Sequence, residues 1–266
     1  MLELRIEDRL YFQSEVLKSE KGITHCFSSS FGGLSDGCVK GLNLGFRVGD
    51  DAEKVYGNYR LVAGDMGFPF ERITAGRQTH SRNIRVITEE DAGKGVSRES
   101  EFCDIDGLVT NVEKLPLVVY YADCVPILLS DEDAGVIGAV HSGWRGTVAE
   151  ISANAVRIMA EQFGAKPSRI KAAIGPSIGP CCFETGSEVA CQFEEALVKE
   201  HKNGKFLVDL WTANKNILMS CGLAEENIDV LKLCTICNSN RLYSYRTHKE
   251  ATGRMGAFIS LNKGGK

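Results

Sequence analysis

Four apolar runs follow one another in the middle of the chain. They read LVTNV at 108–112, LPLVVYYADC at 115–124, PILLS at 126–130 and GVIGAVHS at 135–142. Short runs of Val, Ile, Leu and Tyr, bounded by glycine or polar residues, are typical of β-strands. The pattern therefore predicts a sheet-rich centre.

Apolar residues that recur at steps of three and four predict helices around these strands. The predicted helices span 52–66, 148–163, 187–200 and 209–221. The second of them follows Thr147 and Glu150, which form the T-x-x-E pattern of a capping box, and it should stop near Gly164. Strands and helices do not alternate strictly, which favours an α+β fold over a doubly wound sheet.

The length of 266 residues allows one large domain or two small ones. No fixed-period repeat, low-complexity tract or Pro/Ser-rich linker divides the sequence, so a single domain over 1–266 is the simpler interpretation. No window approaches the ~18 consecutive apolar residues that a membrane span requires. We therefore expect no membrane partner.

Charged residues are mixed along the chain. There are 31 basic and 35 acidic residues, with a formal net charge of -4. Proteins that bind nucleic acids or anionic membranes carry clustered basic patches, which this chain lacks in its sequence. Both are therefore poor candidates for partners, although a few arginines could still hold a small anion.

The N-terminal sequence MLELRIEDRL alternates apolar and charged residues, so it lacks the apolar core of a secretory signal. The chain has ten cysteines, and most lie within apolar runs of a chain too large to depend on disulfides. We expect reduced thiols and a cytoplasmic location.

Two histidines and one cysteine stand where predicted strands or turns end. His80 lies in RQTHS, Cys124 closes VVYYADC, and His141 lies in AVHSGWRG. Strand ends that open into loops often present reactive side chains. Two imidazoles and a thiolate suit zinc and leave a fourth position for water or substrate, as in catalytic zinc sites.

Different interpretations of these three residues stay open. Their spacing matches no local zinc motif, so Cys124 could be a buried apolar thiol and each histidine could be hydrogen-bonded separately. The same set describes a blue-copper centre, but no methionine adjoins the motifs. Cys124 and His141 could also be a nucleophile and its base, although the second histidine, His80, favours a metal.

Cys234 and Cys237 form a C-T-I-C pair, which is half of a typical structural zinc site. Cys181 and Cys182 are adjacent, so they lack the two-residue spacing of a second half. The sequence therefore favours ordinary buried thiols at these positions.

Arginines near predicted turns are candidates for anion binding. Arg145, in GWRG, precedes a predicted helix, and a guanidinium beside a helix N-terminus can hold an oxyanion. Stacking on Trp144 is an equally compatible role. Arg246 in SYR and Arg254 in TGR are further candidates of the same kind.

Seven segments, in order along the chain, resemble those of the YfiH family, whose members are also called laccase-domain proteins, polyphenol oxidases or peptidoglycan editing factors. They are KGLNLGFRVGDD, RQTHS, YYADCVPILL, GAVHSGWRGT, AAIGPSIGPCCFE, CTICNSNRLYSYR and TGR. The resemblance covers roughly residues 20 to 262, which is nearly the whole chain.

The resemblance implies that His80, Cys124 and His141 hold one zinc ion in a single α+β domain with a central β-sandwich flanked by helices. It implies phosphorolysis of adenosine, inosine and S-methyl-5′-thioadenosine, together with deamination of adenosine. Oxidation of phenols by a copper-loaded form is an older assignment for the family. The expected partners are thus a small nucleoside and phosphate, bound by a monomer or homodimer.

The resemblance also suggests roles for nearby polar residues. Besides Cys124 and His141, Asp123 is a candidate catalytic residue that could shuttle a proton, and Glu184 is a second candidate for that role. Each could instead be a hydrogen-bonded structural carboxylate. Asn43 in LNLG could orient ribose or base, or could simply be a turn residue. Arg145 and Arg246 remain the candidates for binding phosphate.

Two positions depart from the family pattern. Ser30 stands where many members have arginine before the first glycine pair, and Arg47 stands where histidine or asparagine is frequent. Both lie near the expected pocket, so the substrate preference could differ from that of most members.

Functions of different classes fit parts of the same pattern. Cys124 and His141 could belong to a cysteine hydrolase or amidase that acts on cell-wall precursors, since the fold resembles that of a bacterial toxin deamidase. The chain could also be a nonenzymatic protein that binds such a precursor, or a copper-dependent polyphenol oxidase.

Overall fold

Two β-sheets packed face to face form the centre of the protein. The computed structural model describes residues 1–262; residues 263–266, the end of the predicted 1–266 domain, lie outside the described residues. The strands, in chain order, are β1 (Leu2–Ile6), β2 (Arg9–Gln13), β3 (Ile23–Ser28), β4 (Thr74–Ala75), β5 (Ile84–Val86), β6 (Gly107–Thr110), β7 (Leu117–Tyr121), β8 (Val125–Asp131), β9 (Val136–Ser142), β10 (Lys171–Ile174), β11 (Glu184–Thr185), β12 (Val198–Glu200), β13 (Phe206–Val208), β14 (Ile228–Val230) and β15 (Met255–Leu261).

Both large sheets contain parallel and antiparallel neighbours. The first sheet has the strand order β1-β2-β3-β15-β7-β4, and the second has the order β14-β10-β8-β9-β6-β5. A third sheet of short strands has the order β11-β13-β12. The pairs β4 with β7, β5 with β6 and β10 with β14 are parallel, and the remaining pairs are antiparallel. This mixture confirms the predicted α+β class.

The alternation of side chains along each strand builds the sandwich. Successive residues of a strand point to opposite faces of its sheet. In β7, Leu117 and Val119 lie in the core between the two sheets, and Val118 lies in the core on the outer side. In β8, Leu128 faces inward and Ile127 faces outward in the same way. Both faces are covered, which explains why these runs are apolar throughout.

Helices cover the outer faces of both large sheets. The α-helices are α1 (Glu15–Lys18), α2 (Ala52–Met66), α3 (Trp144–Val148), α4 (Ile151–Phe163), α5 (Ser187–Ala190), α6 (Leu210–Ser220) and α7 (Tyr245–His248). Val55, Tyr59 and Val62 of α2 pack on the outer side of the first sheet. Apolar residues of α4 and α6 pack on the outer side of the second sheet. The predicted β-sandwich flanked by helices is thus confirmed.

Two of the predicted helices match observed ones closely. The prediction for 52–66 corresponds to α2, and that for 209–221 corresponds to α6. The prediction for 187–200 is wrong, because the α-helix ends at Ala190, a single 3-10 turn follows at Glu195–Leu197, and the segment ends in β12, which pairs with β13. Strand pairing overrides the weak helical pattern there.

The predicted capping box is also wrong. α3 already contains Thr147, and Glu150 separates α3 from α4 with a left-handed backbone, φ 55°. The Thr147 hydroxyl lies 3.0 Å from Ser142 Oγ and accepts a hydrogen bond from Asn214 Nδ2. The Thr147 side chain therefore belongs to a buried hydrogen-bond network with Ser142 and Asn214. The predicted stop at Gly164 is confirmed, with φ 72° at that residue.

None of the helices within residues 1–262 combines the length and the apolar character that a membrane crossing requires.

Candidate active site

The fold brings His80, Cys124 and His141 together. Cys124 lies between β7 and β8, and His141 lies in β9 opposite Pro126 of β8. His80 lies in the segment before β5, with its ring centroid 5.0 Å from that of His141. One ligand atom from each of the three residues lies within 4.8 Å of the corresponding atoms of its two neighbours. Residues that are distant in sequence thus form one potential donor set.

A buried carboxylate, Asp106, organises this donor set. Its Oδ1 lies 2.8 Å from His141 Nδ1 and accepts a hydrogen bond from the backbone amide of His80 at 3.0 Å. Its Oδ2 accepts from the amides of Thr79 and Ser81, both at 2.9 Å. Because the bond to Asp106 occupies Nδ1 of His141, Nε2 is the nitrogen left for a ligand.

The sequence prediction missed Asp106. The only local signal is an acidic residue directly before the apolar strand β6, in DIDG. A carboxylate at such a position is usually a solvated turn residue, whereas Asp106 is fully buried. A buried charge needs several partners, and here backbone amides and an imidazole supply them.

The backbone of His80 is unusual. Its φ of 68° lies in the left-handed region, which costs a residue other than glycine about 1 kcal/mol or more. The bonds that Asp106 accepts from the amides on both sides of His80, and from its own amide, hold the turn in this conformation. The strain therefore places the imidazole at the donor set.

Gly143 allows the three donors to approach one another. A Cβ at this position would lie 3.0 Å from Cys124 Sγ and 3.1 Å from His80 Cδ2. Both distances are shorter than ordinary van der Waals contacts. The glycine in HSGWRG is therefore needed for the geometry of the site.

The ionisable groups of the site stabilise one another in their charged forms. Burial raises the pKa of Cys124, but the adjacent His141 and His80 lower it to about 6. Burial lowers the pKa of His141, but Cys124 and Asp106 raise it to about 9. Burial raises the pKa of Asp106, while the hydrogen bonds from His141 and two backbone amides hold it well below its usual range. A thiolate beside an imidazolium is favoured when no metal is bound.

The donor set lies in a cavity of about 1060 Å³. Arginines are numerous in its lining: Arg47, Arg77, Arg98, Arg145, Arg246 and Arg254. The acidic residues of the lining are Glu99 and Asp123. Aromatic side chains form much of the remaining wall and include Phe46, Tyr56, Phe102, Trp144, Phe183 and Tyr245. The pocket is thus basic although the whole chain is acidic.

The three arginines predicted to bind anions, Arg145, Arg246 and Arg254, all line this pocket. Arg145 is exposed, and its guanidinium carbon lies 4.4 Å from the centroid of the Trp144 ring. Arg246 is exposed and donates one hydrogen bond to the Glu184 carbonyl, 2.8 Å. The sequence prediction missed Arg77 and Arg98, because isolated arginines in loops carry no pattern that assigns them to a pocket.

Asn43 lies behind the pocket wall. Its side chain is fully buried, donates to Asp50 Oδ2, and accepts from the amides of Gly45 and Arg254 at 2.9 Å. These contacts fix two segments that line the pocket. Direct contact of Asn43 with a substrate stays a prediction.

Asp123 faces the pocket with a left-handed backbone, φ 94°. Its Oδ1 accepts from Thr235 Oγ1 and its Oδ2 from the backbone amide of Arg246, both at 2.6 Å. One oxygen of Asp123 therefore holds α7, which carries Arg246, and the other holds the loop after β14. Glu184, in contrast, lies outside the pocket lining and faces His201 at 3.5 Å.

A β-sandwich with a cysteine, two histidines and many arginines in one pocket defines a class of α+β enzymes. The chain belongs to the YfiH-like family, whose sequence model, described as "Multi-copper polyphenol oxidoreductase laccase", matches residues 24–262.

Relatives and solved structures agree with this assignment. The chain is 35% identical over 240 residues to the purine nucleoside phosphorylase YlmD of Geobacillus stearothermophilus, covering 87% of this chain and 88% of that one. It is 36% identical over 247 residues to adenosine deaminase RL5 of an unknown prokaryotic organism, covering 89% and 93%. The crystal structure of YfiH from Bacillus licheniformis superimposes with a TM-score of 0.90 at 29% identity, covering 97% of each chain.

Proposed function

We propose that this protein is a zinc-dependent purine nucleoside phosphorylase that cleaves adenosine, inosine and S-methyl-5′-thioadenosine with phosphate and also deaminates adenosine. The observation that carries the proposal is the combination, in one cavity, of a His80, Cys124 and His141 donor set with a basic, aromatic lining. The names of the relatives, a phosphorylase and a deaminase, support the same reaction classes.

The arginines supply the affinity for phosphate. A guanidinium can donate two parallel hydrogen bonds to phosphate oxygens. Arg145 is held by stacking on Trp144, and Arg246 is held by its bond to the Glu184 carbonyl, so both present N–H groups to the cavity in restricted orientations. We assign phosphate binding to these two residues.

The aromatic walls supply the affinity for a purine. Flat aromatic side chains offer faces on which a base can stack, and stacking of this kind contributes about 1–3 kcal/mol per base in nucleic-acid-binding proteins. The rings of Phe46 and Tyr56 lie side by side, with centroids 5.0 Å apart, and Trp144 and Phe183 also line the cavity. The cavity of about 1060 Å³ is large enough to hold a nucleoside with phosphate beside it.

The donor set fits zinc better than copper. One thiolate and two imidazoles, with a fourth position open, are typical ligands of catalytic zinc. A blue-copper centre usually adds an axial methionine, and no methionine is among the described residues that line the cavity. Bound zinc would supply a Lewis acid in the pocket.

The residues of the chain itself prepare the site. Asp106 fixes the ring of His141 and the backbone turn of His80, so the His141 ring does not have to reorganise when a ligand binds. Asp123 holds Arg246 through one accepted bond and Thr235, on the loop after β14, through the other. These contacts support a positioning role for Asp123; proton transfer by Asp123 stays a prediction.

The decisive experiment measures hypoxanthine release from inosine, with and without phosphate, by zinc-loaded protein. The Cys124→Ala variant should lose most of the activity, and Cys191→Ser, an exposed cysteine outside the cavity, should keep it. Ammonia release from adenosine tests the deaminase activity in the same samples. Unchanged cleavage by Cys124→Ala would refute the proposed site, and cleavage that does not need phosphate would refute phosphorolysis.

A specific observation also favours a second function, that of a cysteine hydrolase or amidase acting on cell-wall precursors. Cys124, His141 and Asp106 form a thiol, imidazole and carboxylate in series, which is the order of a cysteine nucleophile with its base and orienting acid. This function requires amide cleavage that survives complete chelation and is abolished when iodoacetamide alkylates Cys124. Loss of activity on chelation would exclude it. Phenol oxidation that appears only after copper loading would instead indicate an oxidase.

A further inference from the structure

A second group of potential metal donors lies outside the pocket. The sulfur atoms of Cys181, Cys182, Cys234 and Cys237 all lie within 4.8 Å of one another. The expectation that these thiols are buried is wrong for three of the four, because only Cys234 is buried, whereas Cys182 is half-buried and Cys181 and Cys237 are exposed. We call these four residues the cysteine cluster.

The spacing of the cysteine cluster fits one tetrahedral ion. Cys237 Sγ lies 3.6 Å from Cys181 Sγ and 3.5 Å from Cys182 Sγ. Zinc bound by four thiolates has Zn–S distances of about 2.3 Å, which gives a tetrahedron with edges of about 3.8 Å. The sulfurs already stand near these separations. An iron–sulfur cluster would hold its cysteines further apart, because the inorganic core occupies the centre.

Backbone amides point to the deepest sulfur. The amide of Gly179 donates to Cys234 Sγ at 3.3 Å, and the amides of Ile236 and Cys237 face the same atom. Such donors stabilise a thiolate and become stronger when the sulfur is charged. The C-T-I-C loop is thus folded as a ligand loop, with its amides turned towards its first sulfur.

The cysteine cluster joins two loops that build one side of the pocket. Cys181 and Cys182 follow β10, and Cys234 and Cys237 follow β14, the parallel neighbour of β10. Ile178 and Phe183, on the first loop, line the cavity. On the second loop, Thr235 donates to Asp123, which also lines the cavity.

We propose that the cysteine cluster binds a structural zinc ion, which ties the loop after β10 to the loop after β14 and so keeps this wall of the pocket in place. All four ligands come from the protein, as is typical of structural rather than catalytic zinc sites. Binding converts four thiols to thiolates and releases their protons to solvent. The ion is independent of the one proposed for the pocket.

The test measures the zinc content of full-length protein purified from zinc-supplemented cells without chelator or metal-affinity resin. In the Cys124→Ala background, which lacks the thiolate of the pocket, elemental mass spectrometry should still find one zinc per chain. Adding Cys237→Ser should remove it, and adding Cys191→Ser instead should leave it. The Cys124→Ala protein, freed of metal and titrated with cobalt, should show the intense visible bands of a tetrahedral tetrathiolate complex, which gives a readout even if Cys237→Ser folds poorly.

Three outcomes would overturn the proposal. The first is a Cys124→Ala protein that is free of metal and whose four cluster cysteines all react as thiols. The second is a disulfide among Cys181, Cys182 and Cys237, found by peptide mass spectrometry of protein kept from air. The third is iron with labile sulfide in place of zinc. None of these outcomes depends on nucleoside cleavage, so the proposal of a structural zinc site and the proposed function are tested independently.

Discussion

One oxygen of Asp106 lies 2.8 Å from His141 Nδ1 and also accepts the backbone amide of His80. A single buried carboxylate therefore orients one ligand through its ring and a second ligand through its backbone. This relationship ties β9 to the turn before β5 and sets the shape of the donor set before any ligand arrives.

Replacing Asp106 by asparagine should weaken zinc binding at the pocket by about 10–100-fold, because the amide group cannot accept at both positions and would oppose the amides of Thr79 and Ser81. Competition with a chromophoric chelator measures the affinity. Asp133→Asn, an exposed residue paired with Arg169, is the control and should bind as the unchanged protein does. Equal affinities in the two variants would contradict the role of Asp106.

Gly143→Ala should lower zinc affinity at the pocket by about 10-fold or more, because overpacking of this kind costs about 1–3 kcal/mol. The new methyl group would meet Cys124 Sγ and His80 Cδ2 at the donor set. Gly64→Ala, in the open on α2, is the matched control, which should leave zinc binding unchanged and stabilise the helix by up to about 1 kcal/mol. A Gly143→Ala protein that binds zinc normally would show that the donors can spread apart.

His25 should make stability fall at mildly acidic pH. Burial, with a smaller contribution from Lys18, lowers the pKa of His25 from 6.5 to about 4. The folded state therefore keeps His25 neutral, with Nε2 accepting from the Ser14 amide, while the unfolded state binds a proton below about pH 6.5. Stability from this group is fully present above that pH and is lost as the pH falls towards about 4.

The expected loss is about 2 kcal/mol between about pH 7.5 and about pH 5. Urea unfolding of the unchanged protein and of His25→Gln at both pH values isolates the contribution. The difference in free energy of unfolding between the two proteins should shrink as the pH falls. A difference that is constant with pH would show that His25 does not titrate in this range.

Glu150→Gly should raise the free energy of unfolding by about 0.5–1 kcal/mol, because glycine adopts the left-handed backbone of the junction between α3 and α4 without steric cost. Gln162→Gly, at an exposed position within α4, should lower it by a similar amount. Urea unfolding compares the two variants. Destabilisation by both would show that the Glu150 side chain contributes more than its backbone strain costs.

Local patterns were sufficient for the central strands β6 to β9 and for helices α2 and α6. The spacing of Val55, Tyr59 and Val62 is enough for α2, since a helical stripe needs no information beyond its own segment. The prediction at 187–200 failed because β12 forms only when its partner β13 is present. Pairing between two segments is a property of the tertiary structure, and short polar strands have little hydrophobic pattern from which to predict them.

The sequence by itself predicted the four central strands β6 to β9, helices α2 and α6, and the position of Cys124 and His141 at or near strand ends. These features depend on periodicity and on where an element ends, which are local properties. Only the tertiary structure decided which distant residues meet. Asp106 became the organiser of the donor set, and Cys181 and Cys182 came to lie against Cys234 and Cys237 because parallel strands β10 and β14 are neighbours. Contacts between remote segments depend on sheet order and register, which no single segment encodes.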